Sequence, residues 1–209
     1  MHHANTNNLL NRNQYGFTPQ TGTIDAAMAI KFFVEASLDV ARIAVLVSYD
    51  VRGAFDAAWV PAILNTLKEL NCHRNLYNLS KCYFHQRTAT FSTNNEHMEV
   101  RVSRGCPQGS CCAPGFWNLL YNSLLDLDYT TSTKAVAFAD ELLHAIRWET
   151  VSEAENIANI ELGKISTWAK NNKISFNEQK KHRHASIKEE TQGTKGNKNV
   201  PELQASGSC

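Results

Sequence analysis

The chain has 209 residues, 43% of them hydrophobic, enough for one domain with a substantial core. Its 21 Lys and Arg nearly cancel its 20 Asp and Glu, and the formal charge of +1 does not mark a strongly basic nucleic-acid binder. Six cysteines form no C-x-x-C pair, which speaks against a zinc finger, and no apolar run approaches the ~18 residues of a membrane span.

Residues 1–13 are polar and Asn-rich, and read as an irregular N-terminus without a secretory core. A helix is expected from about Ile24 to Leu38, with Met28, Phe32 and Ala36 on one face. Ile43 to Val47 is a short, β-branched apolar run, the pattern of a buried strand, and it ends at Ser48-Tyr49-Asp50. A second helix starts near Asp56 or Pro61 and runs to Leu70; a third covers Asn75 to His85. Two strands, Thr88 to Ser92 and Met98 to Val102, flank a polar turn at Thr93-Asn94-Asn95. Arg104 to Pro114 holds two Gly, two Pro and three Cys, so it is a loop. Gly115 to Leu127 reads as a helix, and Lys134 to Phe138 and Leu142 to Trp148 as strands around a tight turn at Ala139-Asp140-Glu141.

Ser152 with Glu155 makes a capping box, followed by Ile157, Ala158, Leu162, Ile165 and Ala169 at helical spacing. Lys173 to Asn177 is a last short strand. From residue 182 to 209 the periodicity is lost, and that stretch reads as a disordered polar tail. This order of elements argues an α+β domain with a largely antiparallel sheet packed on helices, occupying residues 14–181.

Two carboxylate sites stand out by position. Asp50 closes an apolar strand, and Asp140 with Glu141 occupies the tip of an apolar hairpin. Turns favour Asp for their own reasons, so neither site is specific alone. If the strands are neighbours, three carboxylates meet at one sheet edge, where they repel unless a cation joins them. Mg²⁺ suits such a place, because it takes one or two carboxylates and fills its other positions with water and substrate phosphates. Two such ions about 4 Å apart serve an in-line phosphoryl displacement.

Three segments resemble successive polymerase motifs of reverse transcriptases, most of all those of insect-type non-LTR (LINE-like) retrotransposons. They are Tyr49-Asp50-Val51-Arg52-Gly53-Ala54-Phe55-Asp56, Arg104-Gly105-Cys106-Pro107-Gln108-Gly109-Ser110 and Phe138-Ala139-Asp140-Glu141. Upstream, Gln14-Tyr15-Gly16-Phe17-Thr18-Pro19-Gln20 resembles the segment leading into that family's fingers helix. Downstream, Ser175-Phe176-Asn177-Glu178-Gln179-Lys180 resembles its fourth palm motif. The likeness spans about residues 13–181, with the motifs in register.

The resemblance implies a right-hand palm with partial fingers, synthesising DNA from deoxynucleoside triphosphates on an RNA template and DNA primer. It implies two Mg²⁺ ions, with Mn²⁺ as a substitute. Asp50, Asp140 and Glu141 then match metal-binding, catalytic carboxylates, with Val51 at the same metal site. Phe55 matches the steric gate that crowds a ribose 2′-OH, which disfavours an RNA-templated RNA polymerase with a related palm. Pro107, Gln108 and Gly109 match the nucleotide and template loop, and Lys180 the lysine that protonates the leaving pyrophosphate.

Departures from the pattern bear on activity. The family hairpin carries Phe-Ala-Asp-Asp, and here the second acid is Glu141, one methylene longer. A displacement of about 1 Å at a reacting centre can cost on the order of 10²-fold. The early fingers residues that grip the triphosphate, and the thumb, have no counterpart in the sequence. The expectation is therefore a polymerase fragment impaired by Glu141 and by the missing thumb; the alternative is a catalytically inactive nucleic-acid-binding remnant of a transposable element. The expected location is intracellular, with nucleus and cytoplasm not distinguished. Trp59, Trp117, Trp148 and Trp168 read as core, and Cys111-Cys112, His85, His97 and His144 as residues without a partner set that suggests chemistry.

Overall fold

The β-branched run from Ile43 forms the central strand of the protein, which the computed structural model describes over residues 10–40, 43–93, 96–177 and 182–187. This strand, β1 (Ile43–Asp50), lies between β5 (Glu141–Trp148) and β6 (His182–Ile187), with β4 (Thr133–Phe138) outside β5. All three pairings in this sheet are antiparallel, and the register sets Asp50 opposite Glu141. A second sheet has two strands, β2 (Thr88–Thr93) and β3 (Glu96–Arg101). Asn94 and Asn95, expected in the turn between them, lie outside the described residues.

Both faces of the central sheet are covered, which is why its strands read as nearly continuous apolar runs. On one face lies α1 (Thr23–Val40), whose Ala26 and Ile30 meet Val136 and Ala145 of the sheet. The other face meets α5 (Ala113–Leu125) and α6 (Val151–Asn172), whose Trp117, Leu120, Tyr121, Leu124 and Ile165 are fully buried with Val47 and Leu142. In chain order α2 (Ala54–Ala57), α3 (Val60–Glu69) and α4 (Arg74–Phe84) follow β1 and precede β2. Burying each such Leu, Ile or Val side chain contributes about 1.5–3 kcal/mol, so this two-sided core dominates the stability. No helix among the described residues is long and apolar enough to cross a membrane.

Several expectations are corrected. The face of α1 that carries Met28, Phe32 and Ala36 points to solvent: Ile24, Met28 and Phe32 are 77%, 37% and 59% exposed. The buried face is Ala26, Ile30 and Ser37, because small side chains let the helix lie close on the strands. The capping box of α6 is Thr150 with Glu153, not Ser152 with Glu155. Thr150 Oγ1 accepts from Glu153 N at 3.3 Å and donates to Glu153 Oε2 at 2.6 Å. Residues 173–177 make only an isolated bridge, Val51 with Phe176, in place of a strand.

His182–Ile187, expected within the polar tail, adds a strand to the free edge of β1. Residues 188–209 lie outside the described residues. At the other end, the anchored chain begins before Gln14. Asn11 Nδ2 donates to Leu125 O at 3.2 Å, and Asn13 Oδ1 accepts from Lys134 Nζ at 2.7 Å.

Candidate active site at the end of the central strand

Asp50 is the last residue of β1, where the chain leaves the sheet for α2. Its carbonyl accepts Asn177 N at 2.8 Å, while Arg52 N donates to Ser175 O at 2.8 Å, so residues 175–177 brace the exit. Next to it stands the tip of the β4–β5 hairpin. Phe138 pairs with Glu141, leaving Ala139 and Asp140 as a two-residue turn. Val51 N donates to Asp140 O at 3.3 Å, which ties the tip to the end of β1. The same carbonyl accepts Tyr121 OH at 3.2 Å, and Ala139 O accepts Trp117 Nε1 at 3.0 Å.

Phe55 lies on the single turn of α2. Its ring is 5.8 Å from Phe17 and 6.2 Å from Trp117, so aromatic neighbours fix it from two sides. Phe55 O accepts Cys106 N at 2.8 Å, and Ala58 O accepts Gly105 N at 2.8 Å, which straps the 104–110 loop against α2. Gly105 has φ 82, and a Cβ there would stand 3.1 Å from the carbonyl oxygens of Phe55 and Asp56. Only glycine meets both demands without displacement. Burial pushes the Cys106 thiol up to about 11, so it serves as a neutral packing group.

The end of β1, the hairpin tip and the loop enclose a cavity of about 380 Å³. Asp50, Val51, Phe55, Gln108 and Asp140 all line it, together with Arg52 and Asn177. Five of the residues singled out in the sequence thus meet at one place. Glu141 does not line this cavity: it is exposed, and its Oε1 accepts Ser48 Oγ at 2.9 Å. Pro107 lines a neighbouring cavity of about 340 Å³ beside Arg87 and Arg104. Gly109 follows Gln108 with φ 79 and nothing within 4 Å of where a Cβ would be, so backbone conformation rather than crowding calls for glycine. Lys180 lies outside the described residues.

Carboxylates leave their mark on the nearby phenol. Burial first, then Asp140, Tyr129, Asp50 and Glu141, hold Tyr121 well above its ordinary pKa, keeping it a neutral donor to Asp140 O. Among the described residues no group of three or more His, Cys, Asp or Glu could hold a metal ion. Two carboxylates on one cavity nevertheless fit Mg²⁺, which completes its shell with water and substrate oxygens rather than an all-protein cage. Gln14, Arg52 and Asn177 fall within the sequence segments quoted above without a role of their own there, and Tyr121 is not singled out by the sequence at all. The Trp117 ring was expected in the core and is there; that its N–H reaches Ala139 O has no signature in sequence.

Comparison with known proteins identifies the family of this fold. The chain matches the family "Reverse transcriptase (RNA-dependent DNA polymerase)" over residues 1–195. It is 31% identical over 155 residues to the 115 kDa protein in type-1 retrotransposable element R1DM of Drosophila melanogaster. It is 30% identical over 158 residues to a retrovirus-related Pol polyprotein from type-1 retrotransposable element R1 of Bradysia coprophila. These alignments cover 74% and 75% of this chain, but the chain spans only 15% of either relative's length. In fold it is similar to apo telomerase from Candida tropicalis, with a TM-score of 0.64 at 11% identity over 82% of this chain and 33% of that one. The family match over residues 1–195 and these relatives make the chain a member of the reverse transcriptase family, related to the reverse transcriptases of non-LTR retrotransposons.

Proposed function

We propose that this chain carries the palm site of an RNA-directed DNA polymerase, with Asp50 and Asp140 as its cation-binding carboxylates. The observation that carries this reading is the meeting of Asp50, Asp140, Phe55 and Gln108 on one cavity. Two Mg²⁺ ions, or Mn²⁺ in their place, would supply activation of the primer hydroxyl and neutralisation of the leaving oxygens. Asp50 and Asp140 provide the negative charge that draws cations to the cavity, with Val51 beside them. Phe55, wedged by Phe17 and Trp117, crowds the position of a ribose 2′-OH and favours deoxynucleotides. Gln108 and Gly109 form the surface on which nucleotide and template lie, Gly109 leaving open space where a side chain would intrude. Pro107 turns the loop into that surface, and Lys180 is the proton donor to pyrophosphate.

Glu141 supports a reading of reduced activity. Its carboxylate is engaged by Ser48 and lies off the cavity, so it does not complete a third ligand as the shorter aspartate of the family hairpin does. Primer extension on an RNA template, in Mg²⁺ and then Mn²⁺, tests the assignment. The Glu141→Asp variant is expected to extend primers about 10- to 100-fold faster than the parent chain, and Asp140→Ala to abolish extension in both. Extension that survives Asp140→Ala would overturn the proposed site. Primer–template binding with no extension by any variant would assign the chain to the inactive nucleic-acid-binding class instead.

A further inference from the structure

We propose that Gln14 is a positioning residue for Asp140, setting the hairpin tip through its side-chain amide; this rests on the reading of Asp50 and Asp140 as cation ligands. Ala139, the first residue of the two-residue turn, has φ 57, a conformation glycine takes freely and other L residues rarely adopt. Such a backbone persists where its surroundings over-determine it. Gln14 supplies that constraint, because its side chain meets both polar groups of Ala139. Its Oε1 accepts Ala139 N at 3.2 Å and its Nε2 donates to Ala139 O at 3.2 Å. The same Oε1 accepts Gly16 N at 2.9 Å, which orients the amide from its own side of the contact.

The setting is closed to competing water, since Gln14 is buried. Its flanking backbone is tied to the strand before the turn: Tyr15 N donates to Ala137 O and Ala137 N to Asn13 O, each at 2.8 Å. Gly16 lies so near the tip that a Cβ would stand 2.0 Å from Ala139 N. Trp117 shares Ala139 O but cannot hold the N–H as well. Without Gln14, the residue preceding Asp140 keeps one side-chain bond of its three, and the turn is held only from the Asp140 side, by Val51 N and Tyr121 OH on Asp140 O. Partners that orient metal ligands from behind typically matter by 10- to 100-fold in metal affinity.

The test measures Mn²⁺ binding to the full chain by electron paramagnetic resonance, well below the thermal midpoint of each variant. Gln14→Met keeps length and burial but removes all three amide bonds. It is expected to weaken Mn²⁺ binding about tenfold or more and to raise hydrogen exchange at the Ala139 amide, with other core amides protected. If Gln14→Met does not fold, Gln14→Leu, which likewise removes all three amide bonds and adds no charge, is read the same way. Unchanged affinity and unchanged exchange at Ala139, with binding still lost in Asp140→Asn, would overturn the role of Gln14 and leave the cation site standing. If the parent chain binds no Mn²⁺, the cation reading fails, and exchange at Ala139 alone decides whether Gln14 sets the tip.

Discussion

Gly16 and Ala139 belong to distant parts of the chain, yet their backbones touch at the point on which the hairpin tip depends. A methyl group on Gly16 would stand 2.0 Å from Ala139 N and 2.6 Å from its Cα, and backbone atoms cannot step aside as a flexible side chain can. Gly16→Ala is therefore expected to destabilise the chain by about 3 kcal/mol or more, at the upper end of overpacking costs. Urea unfolding measures this directly; a midpoint within error of the parent would mean that the segment does not dock on the tip. The same logic separates residues that sequence motifs reveal from those they hide. Asp50, Phe55, Gln108 and Asp140 are visible because their side chains are chosen for what they present to the cavity. Trp117 and Tyr121 act through bonds to main-chain groups of the turn, as does Gln14, whose segment is legible but whose role is not, because a bond to a main-chain group leaves no imprint on the residue that makes it.

Helix α1 shows how an element can be legible while its orientation is not. Its apolar residues are numerous, so more than one face satisfies a helical period: Met28, Phe32 and Ala36 on one, Ala26, Ile30 and Phe33 on another. What decides is close approach to the sheet, which favours small residues and is invisible to hydrophobicity alone. Ile30→Ala is expected to cost about 2–5 kcal/mol, whereas Phe32→Gln stays within about 0.5 kcal/mol. Paired urea titrations check the contrast; equal costs would place the buried face wrongly. The strands were easier to read, because a sheet covered on both faces leaves continuous apolar runs ending at Asp50 and Asp140. The strand His182–Ile187 was not, since its partner is an edge supplied by β1, and main-chain pairing to an available edge asks little of sequence.

At the scale of the whole molecule, the buried imidazole of His144 links the fold to pH. His144 of β5 is fully buried, 4.8 Å from the Tyr129 ring, with Glu161 and Lys164 facing it from α6. Burial lowers its pKa from the ordinary 6.5 to about 4, opposed by the Glu161 carboxylate and aided by the Lys164 ammonium. A depressed histidine pKa means that the unfolded chain binds the proton first as pH falls. The stabilisation is complete above pH 6.5 and declines down to about pH 4, by about 3 kcal/mol in all. Urea unfolding between pH 7 and 4 should show this loss in the parent and a flatter profile in His144→Leu; parallel profiles would contradict it. Whether the end of β1 and the hairpin tip bring Asp50 and Asp140 into one cation site is decided by Mn²⁺ binding followed by electron paramagnetic resonance. Asp50→Asn and Asp140→Asn should each weaken the same binding event by about tenfold or more, while Glu141→Gln, whose parent side chain is held by Ser48, should leave it nearly unchanged. Binding indifferent to both aspartates, or lost only with Glu141, would mean that Asp50 and Asp140 do not form the cation site.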